Sequence, residues 1–212
     1  MTTAPRPPGR ARSRRSPAPD ERQVDPARTR QALLDAALEE FSARGYAGAR
    51  VRDIADRAGV SKDLISYHFG GKDGLYREVQ RAWLARESTF YDHDLPLAEL
   101  AARYLHDALA DPRPMRLLGW RGLAGEDSEP PDITRAPEDL SGLRARQDRG
   151  EIAADLDPAT LRLALLGAIA APVLLPQAAA RIFGADPASP DFEARYSAGL
   201  ARLLARLAPG SP

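Results

Sequence analysis

Val51-Arg52-Asp53-Ile54-Ala55-Asp56-Arg57-Ala58-Gly59-Val60-Ser61-Lys62-Asp63-Leu64-Ile65-Ser66-Tyr67-His68-Phe69 is the stretch on which the fold turns. Val51, Ile54, Ala55 and Ala58 recur at i, i+3, i+4 and i+7, one apolar face of a two-turn helix. Gly59-Val60 breaks it. Ser61 is placed to cap a second short helix that carries Leu64, Ile65 and Phe69 inward. Two short amphipathic helices about a glycine turn predict a helix-turn-helix over residues 50–69.

Upstream, Asp25 is a good N-cap and Pro26 suits the first helical position, where its missing N–H costs nothing. Leu33, Leu34, Ala37, Leu38 and Phe41 then form one stripe, and Gly45 predicts its stop. Downstream, helices are expected over 72–90, 97–110, 115–123, 134–149, 158–183 and 191–207. The fifth of these opens on Asp157-Pro158, with kinks expected at Pro172 and Pro176. No strand-like alternation occurs, so the expected fold is all-α. A three-helix helix-turn-helix domain (25–72) precedes a helical domain (73–208), with tails at 1–24 and 209–212.

The chain of 212 residues has no cysteine, which excludes disulfides, thiolate metal sites and a cysteine nucleophile. His68, His93 and His106 lack metal-ligand spacing, so neither a metal nor any other cofactor is expected. The net charge is zero but uneven. Residues 1–72 hold 14 basic and 9 acidic side chains (+5), leaving 16 and 21 (−5) for residues 73–212. A basic end on an acidic body suggests that one part meets a polyanion. Residues 1–24 contain five prolines and six arginines without apolar periodicity. They read as a disordered tail, either a solvated leader or a basic arm that adds phosphate contacts. The longest apolar run, residues 163–176, is too short for a bilayer, which needs roughly 20 residues. Arg14-Arg15 lack a following apolar segment, so the expected location is cytoplasmic, with no membrane partner.

With Gly70-Gly71-Lys72-Asp73-Gly74-Leu75-Tyr76 added, the stretch from Val51 resembles the DNA-binding domain of the tetracycline-repressor (TetR) family. The resemblance spans about residues 28–78. It implies that 73–208 is a ligand-binding, regulatory and dimerisation domain, with a dimer on a palindromic double-stranded operator, an unidentified small-molecule effector, and repression as the default. It also assigns roles. Arg52 falls where a base-reaching residue stands; an arginine there can bind guanine O6 and N7, and the alternatives are a phosphate contact or a solvated surface group. Ser61, Lys62 and Asp63 lead the recognition helix, and Ser66 and Tyr67 lie on its outward face. Tyr67 and His68 fall at backbone-contacting positions, although His68 also fits a buried, satisfied histidine. Lys72 falls where a phosphate-binding lysine opens the next helix. Two departures stand out. Ala49 and Arg50 replace a usual hydroxyl cap, leaving Arg50 to bind phosphate by charge. Ser66 stands where a tyrosine is common, with Tyr67 one place on.

For the remainder, Trp83, Phe90, Tyr91, Tyr104, Met115, Trp120 and Arg121 are candidate linings of an effector pocket, each also readable as core or surface. Leu161, Leu165, Ala168, Phe192, Tyr196, Leu200, Leu203 and Leu207 are candidate dimer contacts, because 158–183 is more apolar than a one-sided surface helix should be. The alternative is that these stripes pack within one chain. An enzyme is the rival class, but residues 70–74 miss the phosphate-loop spacing: Ser66 stands where a glycine is needed and Asp73 where a hydroxyl must hold magnesium. No Gly-x-Ser-x-Gly elbow occurs. A nonspecific architectural DNA binder, an activator and a ligand-independent regulator are further readings.

Overall fold

The computed structural model describes residues 25–90, 92, 94–124 and 139–210. The tail at 1–24, Tyr91 and the first part of the helix expected over 134–149 lie outside them. Ten helices and no strand occur among the described residues: α1 (Pro26–Gly48), α2 (Val51–Ala58), α3 (Asp63–Phe69), α4 (Lys72–Phe90), α5 (Leu97–Ala110), α6 (Arg113–Ala124), α7 (Ser141–Asp148), α8 (Pro158–Leu174), α9 (Pro176–Phe183) and α10 (Pro190–Ala205).

The caps expected at Asp25 and Asp157 form. Asp25 accepts the amide of Ala27 at 2.9 Å, and Asp157 accepts that of Thr160 at 2.9 Å. Gly45 leaves the helical region (φ 67°, ψ 174°), so α1 ends its straight run there and adds one offset turn. Gly59 takes the left-handed conformation (φ 70°) between α2 and α3. Ser61 Oγ accepts the amide of Asp63 at 3.3 Å, but α3 begins at Asp63 with Lys62, whose side chain caps nothing, at the capping position.

Leu33, Ala37, Phe41, Ile54, Ile65, Leu75 and Tyr76 form a fully closed N-terminal core. That core does not stop at residue 72. Leu75, Tyr76 and Val79 of α4 and Leu117 of α6 belong to it, so the boundary expected from sequence runs through continuous packing. A second cluster joins Leu97, Ala101, Ile152, Leu165, Leu200 and Leu204. A third joins Ala108, Ile169 and Val173.

The single kinked helix expected over 158–183 is two helices bent by 91° at Leu175. Pro172 sits inside α8 without breaking it. A proline there has no N–H to give to the carbonyl of Ala168, four residues back. The Tyr196 hydroxyl donates to that carbonyl at 2.7 Å instead. At Pro176 the chain turns. Among the described residues no single helix is long and apolar enough to cross a membrane.

Within the chain the eight expected dimer contacts are unequally buried. Phe192 is fully buried, and Leu165 and Leu200 are also buried within the chain's own core. Tyr196 is tied to α8 through its hydroxyl. Leu161, Ala168 and Leu207 pack half-buried against the second cluster. Leu203 alone of the eight remains exposed. The helices do carry two apolar faces, but the other one points outward: Leu163, Leu174, Leu175, Ile182 and Leu203 are exposed.

Candidate nucleic-acid interface and internal cavity

The nine candidate DNA contacts all avoid the core. Arg50, Arg52, Ser61, Lys62, Asp63, Ser66 and Tyr67 are exposed, while His68 and Lys72 are half-buried. Their exposure follows from the helical period. Ile54 and Ala55 turn α2 inward, and Ile65 and Phe69 turn α3 inward, leaving the polar positions outside. Tyr67 is 80% exposed, and its ring meets His68 edge-on, the ring centres 5.0 Å apart. An aromatic held this far out of the core has no packing role within the chain.

Arg52 reaches Asp56 at 3.6 Å one turn later on α2, a loose pair between exposed side chains. Such a pair is worth little in water and is readily exchanged for a phosphate or base. Arg50 precedes α2 in extended backbone and caps nothing with its side chain. Lys72 opens α4 with its ammonium 4.3 Å from the centre of the Tyr46 ring. Burial lowers its pKa, and the neighbouring Asp73 carboxylate opposes that shift. The Tyr46 hydroxyl donates to Asp73, fixing the ring beneath the lysine.

Arg57 and Arg44 are engaged as braces instead. Glu40, only 3% exposed on α1, accepts from Arg57 Nη2 at 2.8 Å and Nε at 3.2 Å. Arg44 lies 3.4 Å from the same carboxylate and 3.5 Å from Asp53. The network links α1 to α2. Sequence reasoning missed it, because Arg57 and Arg52 look alike until the fold puts a buried carboxylate beside one of them.

A second site lies between α4, α5, α7 and α8: a cavity of about 340 Å³, within the range of small-molecule sites. Leu84, Leu97, Leu100, Leu143, Leu165 and Ile169 give it apolar walls, and Glu87, Tyr104, Asp139, Arg146 and Arg162 add polar groups. Arg146 is 3% exposed and bonds Glu151 at 2.7 Å. Burial pushes the Glu151 carboxyl up, but the Leu97 amide and the Arg149 and Arg146 guanidinia outweigh it and hold it below the usual range.

Of the seven expected pocket residues, Tyr104 lines this cavity. Trp83 and Arg121 do not, and Met115 packs instead on the cluster of Ala108, Ile169 and Val173. The side chain of Phe90 is outside the described residues, as is Tyr91. Trp120 turns the other way. Its indole donates to the Ser42 carbonyl at 3.1 Å and lies over Gly45, where a Cβ would come within 3.2 Å of the ring. Leu165, expected at a dimer contact, is a cavity wall. Glu87, Arg146 and Arg162 went unread because charged residues in a helical stretch ordinarily face water. Only the spacing of Leu84 and Glu87, one turn apart on α4, hinted at a shared face.

Comparison with known proteins agrees with both regions. Residues 33–79 match the family described as bacterial regulatory proteins, tetR family. Residues 96–199 match the family described as tetracyclin repressor-like, C-terminal domain. The HTH-type transcriptional repressor SCO4008 of Streptomyces coelicolor is 32% identical over 173 residues, 79% of this chain and 90% of that protein. The HTH-type transcriptional regulator RutR of Escherichia coli K12 is 33% identical over 140 residues, 61% of this chain and 66% of its own length. Among solved structures, the transcriptional regulator SCO4942 from Streptomyces coelicolor is similar at a TM-score of 0.68 and 27% identity. That match covers 87% of this chain and 99% of that one. Helix-turn-helix, helical body and relatives agree: the chain belongs to the TetR family of bacterial transcriptional regulators.

Proposed function

We propose that this regulator acts as a homodimer on a palindromic operator and is released from it by a small molecule that enters the cavity. The observation that carries the DNA reading is the exposed set Ser61, Lys62, Asp63, Ser66 and Tyr67, beside the Lys72 ammonium over Tyr46. In this reading α3 lies in the major groove, Lys62 and Asp63 face base edges, and Asp63 accepts from a cytosine amino group. Arg52 reads a guanine, and Arg50, Tyr67, His68 and Lys72 hold phosphates. Repression follows the printed name of the Streptomyces coelicolor relative.

Dimerisation is supported by the outward apolar residues of α8 to α10, which a lone chain leaves in water. A two-fold pair also sets two recognition helices about 34 Å apart, one turn of duplex. The effector shifts the population toward a dimer with misplaced α3 helices, with a reciprocal coupling of about 1–3 kcal/mol.

The test is binding to the intergenic duplex beside the protein's own gene, with a scrambled duplex as control. Arg52→Ala is expected to cost about 1–3 kcal/mol on the first duplex alone, and Lys72→Ala to weaken both while lowering the salt slope by about one. Equal loss on the two duplexes for Arg52→Ala, or an unchanged slope for Lys72→Ala, removes the assigned role.

A further inference from the structure

The charged groups around the cavity are unequally provided for. Arg146 has the Glu151 carboxylate at 2.7 Å, and that carboxylate is itself held by the Leu97 amide and by Arg149 at 2.8 Å. Arg162 and Asp139, of opposite sign, each have partners of their own. Glu87 is different. It is half-buried on the α4 wall and accepts from the Tyr104 hydroxyl at 2.8 Å, a neutral donor. No cation lies within ion-pair distance of it among the described residues. A carboxylate offers about four acceptor sites and pays heavily for losing water without a counter-charge. Around it stand Leu84, Leu97, Leu100, Leu165 and Ile169, which supply apolar surface and no donor.

We propose that the cavity takes an amphipathic cation, a protonated amine on an apolar body, with Glu87 as its counter-ion and Tyr104 orienting the carboxylate. The proposal rests on the reading of this cavity as the effector site and narrows it to one ligand class. An anion is disfavoured by the same geometry. Its partner would have to be Arg146, whose guanidinium already faces Glu151, or Arg162, which is also engaged, and it would lie in one cavity with the Glu87 charge. The volume of about 340 Å³ suits a body of one aromatic ring or a short alkyl chain. On binding, the ammonium donates to the Glu87 oxygens, and the bond from Tyr104 stays in place. Charge-assisted bonds of this kind give both affinity and orientation.

The experiment uses the full chain and three matched probes, 2-phenylethylammonium, 2-phenylethanol and 3-phenylpropanoate, titrated by calorimetry against wild type and Glu87→Gln. The expected result is that the ammonium binds wild type about tenfold or more tightly than the alcohol or the carboxylate. Glu87→Gln removes that preference and leaves the alcohol's affinity within about threefold, the alcohol serving as the check that the cavity still forms. Tighter binding of the carboxylate, an ammonium preference that survives Glu87→Gln, or no binding by any probe overturns the proposal. Displacement from the intergenic duplex is measured in parallel. An ammonium that binds through Glu87 but leaves the DNA complex intact supports the ligand class and removes the effector reading. A carboxylate that displaces the protein while the ammonium does not keeps the effector reading and removes the ligand class.

Discussion

The DNA-binding module and the regulatory body treat their apolar residues in opposite ways. In the module, Leu33, Ala37, Phe41, Ile54, Ile65, Leu75 and Tyr76 are completely buried, and the rings of Phe41, Tyr46 and Tyr76 interlock at centre distances of 5.0 to 6.1 Å. In the body, the clusters are smaller, a cavity remains between four helices, and Leu163, Ile182 and Leu203 are 69%, 78% and 68% exposed. A short helix that must present polar side chains to a groove needs a rigid backing. In the proposed function the body admits a ligand and a second chain, which needs unfilled space and unburied surface.

The largest effect that bears on this contrast is expected at Phe41. Truncating a ring with no exposure leaves a cavity where nothing can collapse, so Phe41→Ala is expected to cost about 3–5 kcal/mol in urea unfolding. The loss is expected to be the same at low and high protein concentration, because the site closes within one chain. A concentration-dependent loss would mean that the module's core relies on the partner, and the contrast would fail.

Leu203 tests the other side. In a single chain its side chain is mostly in water, so Leu203→Asp should barely alter a monomer. In the proposed dimer it places a charge in the apolar face of α10. The expected result is a dimer weakened by about 2 kcal/mol, roughly thirtyfold, read by sedimentation, with weaker duplex binding as a consequence. An unchanged sedimentation profile would move the interface off this face.

The same contrast explains what the sequence revealed. The module was legible because its signals are local: Asp25-Pro26, Gly59 and Ser61 fix the helix ends, and the period of 3.6 separates Ile65 and Phe69 from Ser66 and Tyr67. The body was legible in its helices but not in their faces. Phe192, Leu200 and Leu203 form one run of apolar positions along α10, and only the tertiary arrangement decides that the first two turn inward and the third outward. Tyr196 has a role that no local pattern encodes, since it answers the carbonyl that Pro172 frees on another helix. Glu87 and Glu40 were unreadable for a related reason. A carboxylate acquires its meaning from what is packed beside it, here Tyr104 in one case and Arg57 in the other.

The smallest expected effect lies at the seam between the two regions. Trp120 of α6 lies over Gly45 of α1 and donates its indole N–H to the Ser42 carbonyl at 3.1 Å, while Gly119, its neighbour, sits so close to Leu174 that a Cβ would come within 2.9 Å of it. The helix is therefore wedged between the module and the end of α8, and the contact to α1 combines ring packing with one hydrogen bond. Trp120→Phe keeps most of the packing and deletes the bond, so about 0.5–1.5 kcal/mol of stability should be lost. If the two regions unfold together, that loss shifts a single urea transition. If the seam is weaker than either core, Trp120→Phe separates the transition into two, followed by duplex binding for the module and by probe binding for the cavity. A variant with wild-type stability and one transition would show that packing on Gly45 alone joins the two regions.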